Sequence, residues 1–492
     1  MVSKFFIMRI FLLCLTFIMV FGCDDPISKK GIPDSLTDHQ SGQYQDEYRD
    51  ENNEDPDPVT FEANDIIINE IMIRQTQTRP DPDFGVYSGW IELHNRELHP
   101  VDLSGWILSV SDLSSHTSVE YSIHDVRSYV FPDDFRIAAD EYVLLWASGV
   151  DHVREAVHLP FILPEGGAKI GLYGPDMAGL PIIDTLTYNS YDVAYDISLG
   201  RMNFGRDHKG FLLPMSMPTP GKKNQLEKLD LLESFSPEVK GPSGLDTDHS
   251  KNYLWTVSDA DGGGIYKMDR QGRIVSRLPV QGNDMEGISQ HPHNRTLFVV
   301  EERMRKIVQY DTLGMEIARF EVPVEQINEN DGPEGIAINP FNNHIFVVNE
   351  KNPRVLIELD VLKGVDRQVI RKTPVNFGAA GDAAGLDLSG LFFDAEDRIL
   401  WMVSDEARAV FILDTRGRPL AAFDAGQKDL EGIALIRSEN KLFLVSDDLE
   451  TLFVYSIPQP LLMLAPKEQD FVAIGCSFCL YASRIVSLNL YK

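Results

Sequence analysis

Met285-Glu-Gly-Ile288, whose glycine is followed fifteen residues later by the acid that closes Phe298-Val-Val-Glu-Glu302, is one copy of a pattern that occurs five times in the second half of the chain. The glycines are Gly244, Gly287, Gly335, Gly390 and Gly432, each followed by Leu or Ile, and the acids are Asp259, Glu302, Glu350, Asp405 and Asp447. A spacing that returns in this way means stacked equivalent units. The acid ends a run with an aromatic near its start: Trp255-Thr-Val-Ser-Asp259, Phe346-Val-Val-Asn-Glu350, Trp401-Met-Val-Ser-Asp405 and Phe443-Leu-Val-Ser-Asp447 in the other four copies. Runs so short and apolar read as buried strands. A third run follows in each unit, and a fourth comes after a turn at Gly272, Gly314 and Gly417. Four strands in a unit of roughly 40 to 55 residues describe the blade of a β-propeller.

The last copy ends near Ile457, before a fourth strand. Leu229-Asp-Leu-Leu-Glu-Ser-Phe235, ahead of the first glycine, would complete that blade and close the ring, which removes the exposed edges of an open array. Five units predict five blades. Six is the alternative, because 55 residues separate Gly335 from Gly390 and the segment from Thr373 to Asp387 leaves room for a degenerate blade.

The chain has 492 residues, enough for two or more domains, and a formal charge of −30. Such acidity repels nucleic acid and anionic lipid unless a cation intervenes. At the N-terminus, Lys4 and Arg9 precede an apolar stretch from Ile10 to Cys23 that is too short for an ordinary spanning helix. Its end, Val20-Phe-Gly-Cys23, resembles the lipobox of bacterial lipoproteins, which implies that residues 1–23 are a lipoprotein signal peptide whose Cys23 is acylated and becomes the new N-terminus after cleavage. A signal peptide cleaved without lipidation and an uncleaved anchor are the alternatives. Acyl chains at ~0.8 kcal/mol per buried methylene would hold the protein on a bacterial membrane, at the periplasmic face or the cell surface. Residues 24–62 are acidic and poor in aliphatics, the composition of a disordered tether. Besides Cys14 and Cys23 the chain has Cys476 and Cys479, a CxxC without a second pair or His partner, which reads as incidental.

Between Asp65 and Tyr188 short strand-like runs recur between turns with no helical period, the pattern of a β-sandwich. Ile68-Asn-Glu-Ile-Met72, Trp90-Ile-Glu-Leu-His-Asn95, Val101-Asp-Leu-Ser-Gly-Trp106, Trp146-Ala-Ser-Gly149, Gly171-Leu-Tyr173 and Pro218-Thr-Pro-Gly221 resemble the lamin tail domain, over residues 63–224. The resemblance implies an immunoglobulin-like sandwich that binds or attaches rather than catalyses; for the protein as a whole the expected partner is an unknown envelope protein or a glycan. Glu70, Glu92 and Asp102 read as strand-end polar groups that fix the sandwich, with ligand contact as the alternative. After Gly221-Lys-Lys-Asn-Gln225 the second domain begins at once, a connection too short for much relative freedom.

The propeller units, residues 226–458, resemble the SdiA-regulated family through Met285-Glu-Gly-Ile288, Val300-Glu-Glu-Arg303, Pro333-Glu-Gly-Ile336, Asn349-Glu-Lys-Asn-Pro353, Leu388-Ser-Gly-Leu391, Ser404-Asp-Glu-Ala-Arg408 and Leu430-Glu-Gly-Ile433. The resemblance implies a propeller of the bacterial envelope. The residues before the repeated glycines are Ser243, Glu286, Glu334, Ser389 and Glu431. First strands of blades line the channel, so these positions converge on the axis. Carboxylates gathered there repel one another and call for a cation with hard oxygen ligands, Ca²⁺ before Mg²⁺. Glu286, Glu334 and Glu431 are the first candidate ligands, and Glu302, Glu350 and Asp405 the next. The plainer alternative is that each glutamate accepts backbone N–H groups within its own blade.

Asp259-Ala-Asp-Gly-Gly-Gly264 starts like a calcium loop but has Arg270 at the twelfth position, so it reads as a turn. His291 and His293 flank Pro292 in a blade turn and are expected to be exposed. No HExxH, GxSxG or Walker loop is present. Six-bladed lactonases and propeller phytases, to which the unit is similar, place acids around channel calcium. A metal-dependent hydrolase of esters or phosphoesters is therefore the rival to a non-catalytic binding module. Residues 459–492 match no blade. The expectation is an all-β protein: an immunoglobulin-like β-sandwich plus a five-bladed, alternatively six-bladed, β-propeller.

Overall fold

The repeated apolar runs form strands buried on both faces: Tyr253–Ser258, Leu297–Glu301, Ile345–Asn349, Ile399–Ser404 and Lys441–Ser446. The structure, a computed structural model, describes residues 65–113, 127–150, 152–175, 181–203, 210–260, 263–282, 284–325, 331–360, 369–375 and 386–458. The leader, Cys23, the acidic tether, the 459–492 tail and residues 376–385 of the segment proposed to hide a sixth blade lie outside the described residues.

The described residues are nearly all β, an immunoglobulin-like sandwich followed by a propeller. In the sandwich, a seven-stranded sheet has Ile66–Met72 and Gly89–Asn95 at its centre and packs on a four-stranded sheet ordered Ile182–Asn189, Gly167–Tyr173, Ile107–Asp112, Arg127–Val130. Ile68, Ile91, Leu93, Leu108, Leu145, Ile170 and Leu172 fill the space between. Glu70 and Glu92 face each other in register on neighbouring strands and are fully buried. Both are paired, as the polar-staple reading expects. Ser198 Oγ and the Thr219 amide donate to Glu70, and Asn69 Nδ2 (2.8 Å) and the Gly221 amide (2.5 Å) donate to Glu92. The closing Pro218-Thr-Pro-Gly221 motif is thus clamped onto the first strands. Asp102 caps its own turn by accepting from the Ser104 amide at 2.9 Å, and it pairs with Arg136 at 3.3 Å. Across the sandwich, Arg201 Nη2 donates to both oxygens of buried Asp184, at 3.0 and 2.9 Å.

Among the described residues the second domain contains five sheets built on four antiparallel strands each. Their inner strands, Pro242–Thr247, Met285–Gln290, Pro333–Ile338, Leu391–Asp394 and Leu430–Ile436, succeed one another around a ring. The repeated glycines make this possible. A Cβ on Gly287 would stand 2.1 Å from Glu334 O, one on Gly335 2.2 Å from Ser389 O, and one on Gly432 2.8 Å from the Leu245 backbone nitrogen, which closes the circle. Leu231–Phe235 pairs antiparallel with Thr451–Ser456 and supplies the fourth strand of the last sheet, so the chain's entry locks its exit. Val369–Pro374 is the outer strand of the third sheet, which removes Thr373 and Pro374 from any separate blade. The turns before the outer strands repeat too: Asp269, Asp311 and Asp414 each accept two backbone N–H groups through one carboxylate oxygen, around Gly272, Gly314 and Gly417 in left-handed conformation.

The two domains share a core. Phe211 and Leu213, from the edge of the sandwich, pack with Phe346, Leu356, Phe411 and Leu413 of the propeller, and Glu227–Lys228 adds to the fourth sheet beside Pro419–Asp424. This contact supplies what the short connection implied.

Candidate metal centre

Three positions of every unit meet at one end of the channel. The residue before the glycine sits at a β-bulge in the first, second, third and fifth inner strands, where the register shifts between Pro242 and Leu245, Met285 and Gly287, Pro333 and Ile336, and Leu430 and Gly432. A bulge re-aims a side chain, and here it turns Glu286, Glu334 and Glu431 towards the axis. The strand-end acid fifteen residues after the glycine is tied in place by its own amide. The N–H of Asp259, Glu302, Glu350 and Asp447 donates to the carbonyl of Gly241, Asp284, Gly332 and Asp429, three residues before each glycine. That third position carries the left-handed backbone at Gly241, Asp284 and Asp429, at φ of 50°, 59° and 55°.

These constraints assemble two overlapping carboxylate groups. Asp284, Glu286 and Glu302 present ligand atoms within 4.8 Å of one another, as do Glu302, Glu334 and Glu350, with Glu302 common to both. Ser243 Oγ donates to Glu286 Oε2 at 2.8 Å from the preceding blade, and the Gly332 amide donates to Glu302 Oε1 at 2.8 Å from the following one. These bonds cross between blades rather than staying within one. Glu334 Oε2 is buried with no hydrogen-bond partner among the described residues.

The electrostatics follow from burial and crowding. Burial, then the charges of Asp259, Asp284 and Glu302, push the Glu286 carboxyl up to about 8 against the Ser243 hydrogen bond. Burial, and Asp284 facing it carboxyl to carboxyl, push Glu302 up to about 7 in spite of the Gly332 amide. Glu334 rises well above the usual range by burial and by Glu350, Glu431 and Glu286. Glu431 does so by burial and by Glu286, Asp387 and Asp405. Asp405 is raised by burial and Asp387 while the Asp429 amide donates to it. Glu431 and Asp405 belong to the same charged ring but join neither three-ligand group among the described residues. Lys351 reaches into the ring, paired with Glu350 and 3.4 Å from Glu406; burial alone would lower its pKa, and the Glu350 hydrogen bond outweighs that and raises it.

Asp387 shows what a purely architectural acid looks like. It accepts Ser389 Oγ at 3.1 Å, Ser404 Oγ at 2.5 Å and the amides of Asp405 (3.2 Å) and Glu406 (3.0 Å), all within its own blade. Glu334, with an orphaned oxygen, is its opposite. At the other end of the inner strands, a cavity of 360 Å³ lies between Asp246, Ser289, Ile338, Phe393, Asp394 and Arg437. Its Asp246 and Asp394 are engaged by the Gln290 amide and by Arg437.

Family models match the chain in two places: the Lamin Tail Domain over residues 60–190, and SdiA-regulated over residues 233–424 and 384–477. The chain carries a lamin tail domain followed by an SdiA-regulated domain. No curated protein matches it. Solved structures similar to it include a nidogen/laminin complex (15% identity, 45% of this chain and 82% of that one, TM-score 0.31). Others are the Cps50 (Swd1) β-propeller domain of Myceliophteria thermophila (11%, 46% and 69%, 0.31) and XC5397 of Xanthomonas campestris, a gluconolactonase (12%, 48% and 96%, 0.34). Overlaps this small bear on no chemistry.

In the SdiA-regulated domain, sequence reasoning missed Asp284, Asp387 and Asp429. They share an offset, three residues before the repeated glycine, that Gly241 and Gly332 fill in the other units. His291 departs from expectation. It is buried, its Nδ1 lies 3.2 Å from the His293 amide in the turn, and burial lowers its pKa. His293 Nε2 contacts Pro340 O at 2.9 Å. Residues 261 and 262 of the calcium-like loop lie outside the described residues. Its Gly263 amide closes a turn on Ala260 O at 2.7 Å.

Proposed function

We propose that the protein is an exported, lipid-anchored, non-catalytic binding module of a bacterial cell envelope, whose SdiA-regulated propeller holds Ca²⁺ at the acidic end of its channel. One observation carries the reading: Asp284, Glu286, Glu302, Glu334 and Glu350 converge while Glu334 Oε2 is left buried without a donor among the described residues. A buried oxygen without a partner costs free energy that a cation recovers. The donors fit the ion. All are hard carboxylate oxygens, and ligands about 2.4 Å from Ca²⁺ can stand no more than about 4.8 Å apart, a limit that both groups keep within. Lys351 acts as a tethered counter-charge that partly stands in for the metal. The cation joins blades two and three and fixes the rim that meets a partner, an envelope protein or a glycan. Acylated Cys23 and the acidic tether carry the two domains on the membrane.

Metal-dependent hydrolysis of esters or phosphoesters is the rival. The full chain should melt higher in Ca²⁺ than in chelator, and should leave p-nitrophenyl esters and phosphoesters intact under both conditions. Calcium-dependent turnover that disappears in Glu286→Gln would establish the hydrolase instead.

A further inference from the structure

A second cluster lies in the lamin tail domain, far from the repeated acids in sequence. Asp81-Pro-Asp-Phe-Gly85 forms a tight loop, closed by the Gly85 amide on Asp81 O and the Asp81 amide on Val86 O, both at 2.8 Å. Asp81 Oδ1 accepts the amides of Asp83 (2.9 Å) and Phe84 (3.3 Å), which fixes the carboxylate and turns its Oδ2 inward. His158, on Val157–His158, pairs with Trp146 of the central sheet, and its side chain is fully buried. Asp83 Oδ2 lies 3.0 Å from His158 Nε2, and Asp83 is itself held by the amides of Glu155 (3.3 Å) and Ala156 (3.2 Å). On the other side of the ring, Ser148 Oγ is 3.1 Å from Nδ1, while Asp81 Oδ2 is 3.4 Å away and makes no hydrogen bond among the described residues.

We propose that Asp81, Asp83 and His158 form a cation site independent of the propeller, suited to a late first-row divalent ion such as Zn²⁺. The three offer ligand atoms within 4.8 Å of one another. A neutral imidazole with two carboxylates is the donor set of zinc rather than of calcium, which takes oxygen alone. The backbone amides that grip Asp81 Oδ1 and both oxygens of Asp83 hold the ligands in place before the ion arrives, the role outer-shell hydrogen bonds play at metal sites. Asp83 already serves the fold by stapling the loop to residues 155–158, but Asp81 Oδ2 has no such task. The ion would lock the loop, with half-exposed Phe84 and Tyr87, against the sheet edge.

The test uses the full chain, stripped with chelator and then saturated with Ca²⁺ so that the channel does not compete. Calorimetric titration with Zn²⁺ should show one-to-one uptake that persists in the Glu286→Gln/Glu334→Gln/Glu431→Gln variant and is lost in Asp81→Asn. Anomalous scattering from wild-type crystals loaded with one equivalent of Zn²⁺ should place the ion between Asp81, Asp83 and His158, a readout that does not depend on how well the variant folds. Absence of uptake by the wild type, or a zinc peak elsewhere, would overturn the proposal and leave an imidazole held by two aspartates without a metal.

Discussion

Raising the pH from 5.5 to 7 in chelator should destabilise the protein, although most proteins are near their most stable there. In the folded state Glu286 titrates at about 8 and Glu302 at about 7, Asp447 is pushed up to about 6 by burial and by Asp259, and Glu334 and Glu431 stand well above the usual range. In the unfolded chain these groups ionise near pH 4 to 4.5. Between those values and the folded ones the native state binds more protons than the unfolded state, so stability falls as pH rises, by about 1.4 kcal/mol per pH unit for each excess proton. With about two excess protons, since coupled carboxyls share their titration, the rise from 5.5 to 7 costs about 4 kcal/mol. For a domain of this size that lowers the melting temperature by about 8 to 16 °C. Calcium should cancel most of the loss, because it replaces the protons. Differential scanning calorimetry at fixed ionic strength, with chelator or with Ca²⁺, measures both curves. A melting temperature in chelator that is flat or rising over this interval would show that the carboxyls are already ionised and compensated, and would refute the electrostatic account of the ring.

Lys351→Met removes the counter-charge beside Glu350, so the protein should melt lower in chelator at pH 7 and bind Ca²⁺ more tightly. A differential of about 1.4 kcal/mol would appear in calorimetry as a tenfold gain in affinity. Gly335→Ala places a Cβ 2.2 Å from Ser389 O, a backbone atom that cannot step aside, so the cost should reach or exceed about 3 kcal/mol in chemical denaturation. Arg201→Met strips buried Asp184 of its bidentate partner and should cost about 3 to 5 kcal/mol, read from the denaturation midpoint of the sandwich.

The propeller was legible because each blade states the same constraint again. The glycine is needed where neighbouring inner strands touch, the aromatics Trp255, Phe298, Phe346, Trp401 and Phe443 all fill the core, and the spare strand at Leu231–Phe235 had only the unfinished blade to complete. The sandwich was legible from its strand motifs, and Glu70 and Glu92 prove to be its polar staples. The site was legible only in part. Glu286, Glu302, Glu334 and Glu350 come together, but their grouping depends on how adjacent blades are rotated, which no single repeat encodes. Asp284 escaped because its offset also houses Gly241 and Gly332 and so reads as a turn position. The grouping of Asp81, Asp83 and His158 was invisible because His158 lies more than seventy positions beyond the two aspartates and the three share no repeat.

The most direct test of the calcium centre is a calorimetric titration of the chelator-stripped full chain with Ca²⁺ at pH 7, beside the Glu286→Gln/Glu334→Gln/Glu431→Gln variant. The account predicts saturable binding with a rise in melting temperature for the wild type and neither for the variant. Equal behaviour of the two proteins, whether both bind or neither does, would contradict it and return the repeated glutamates to blade architecture.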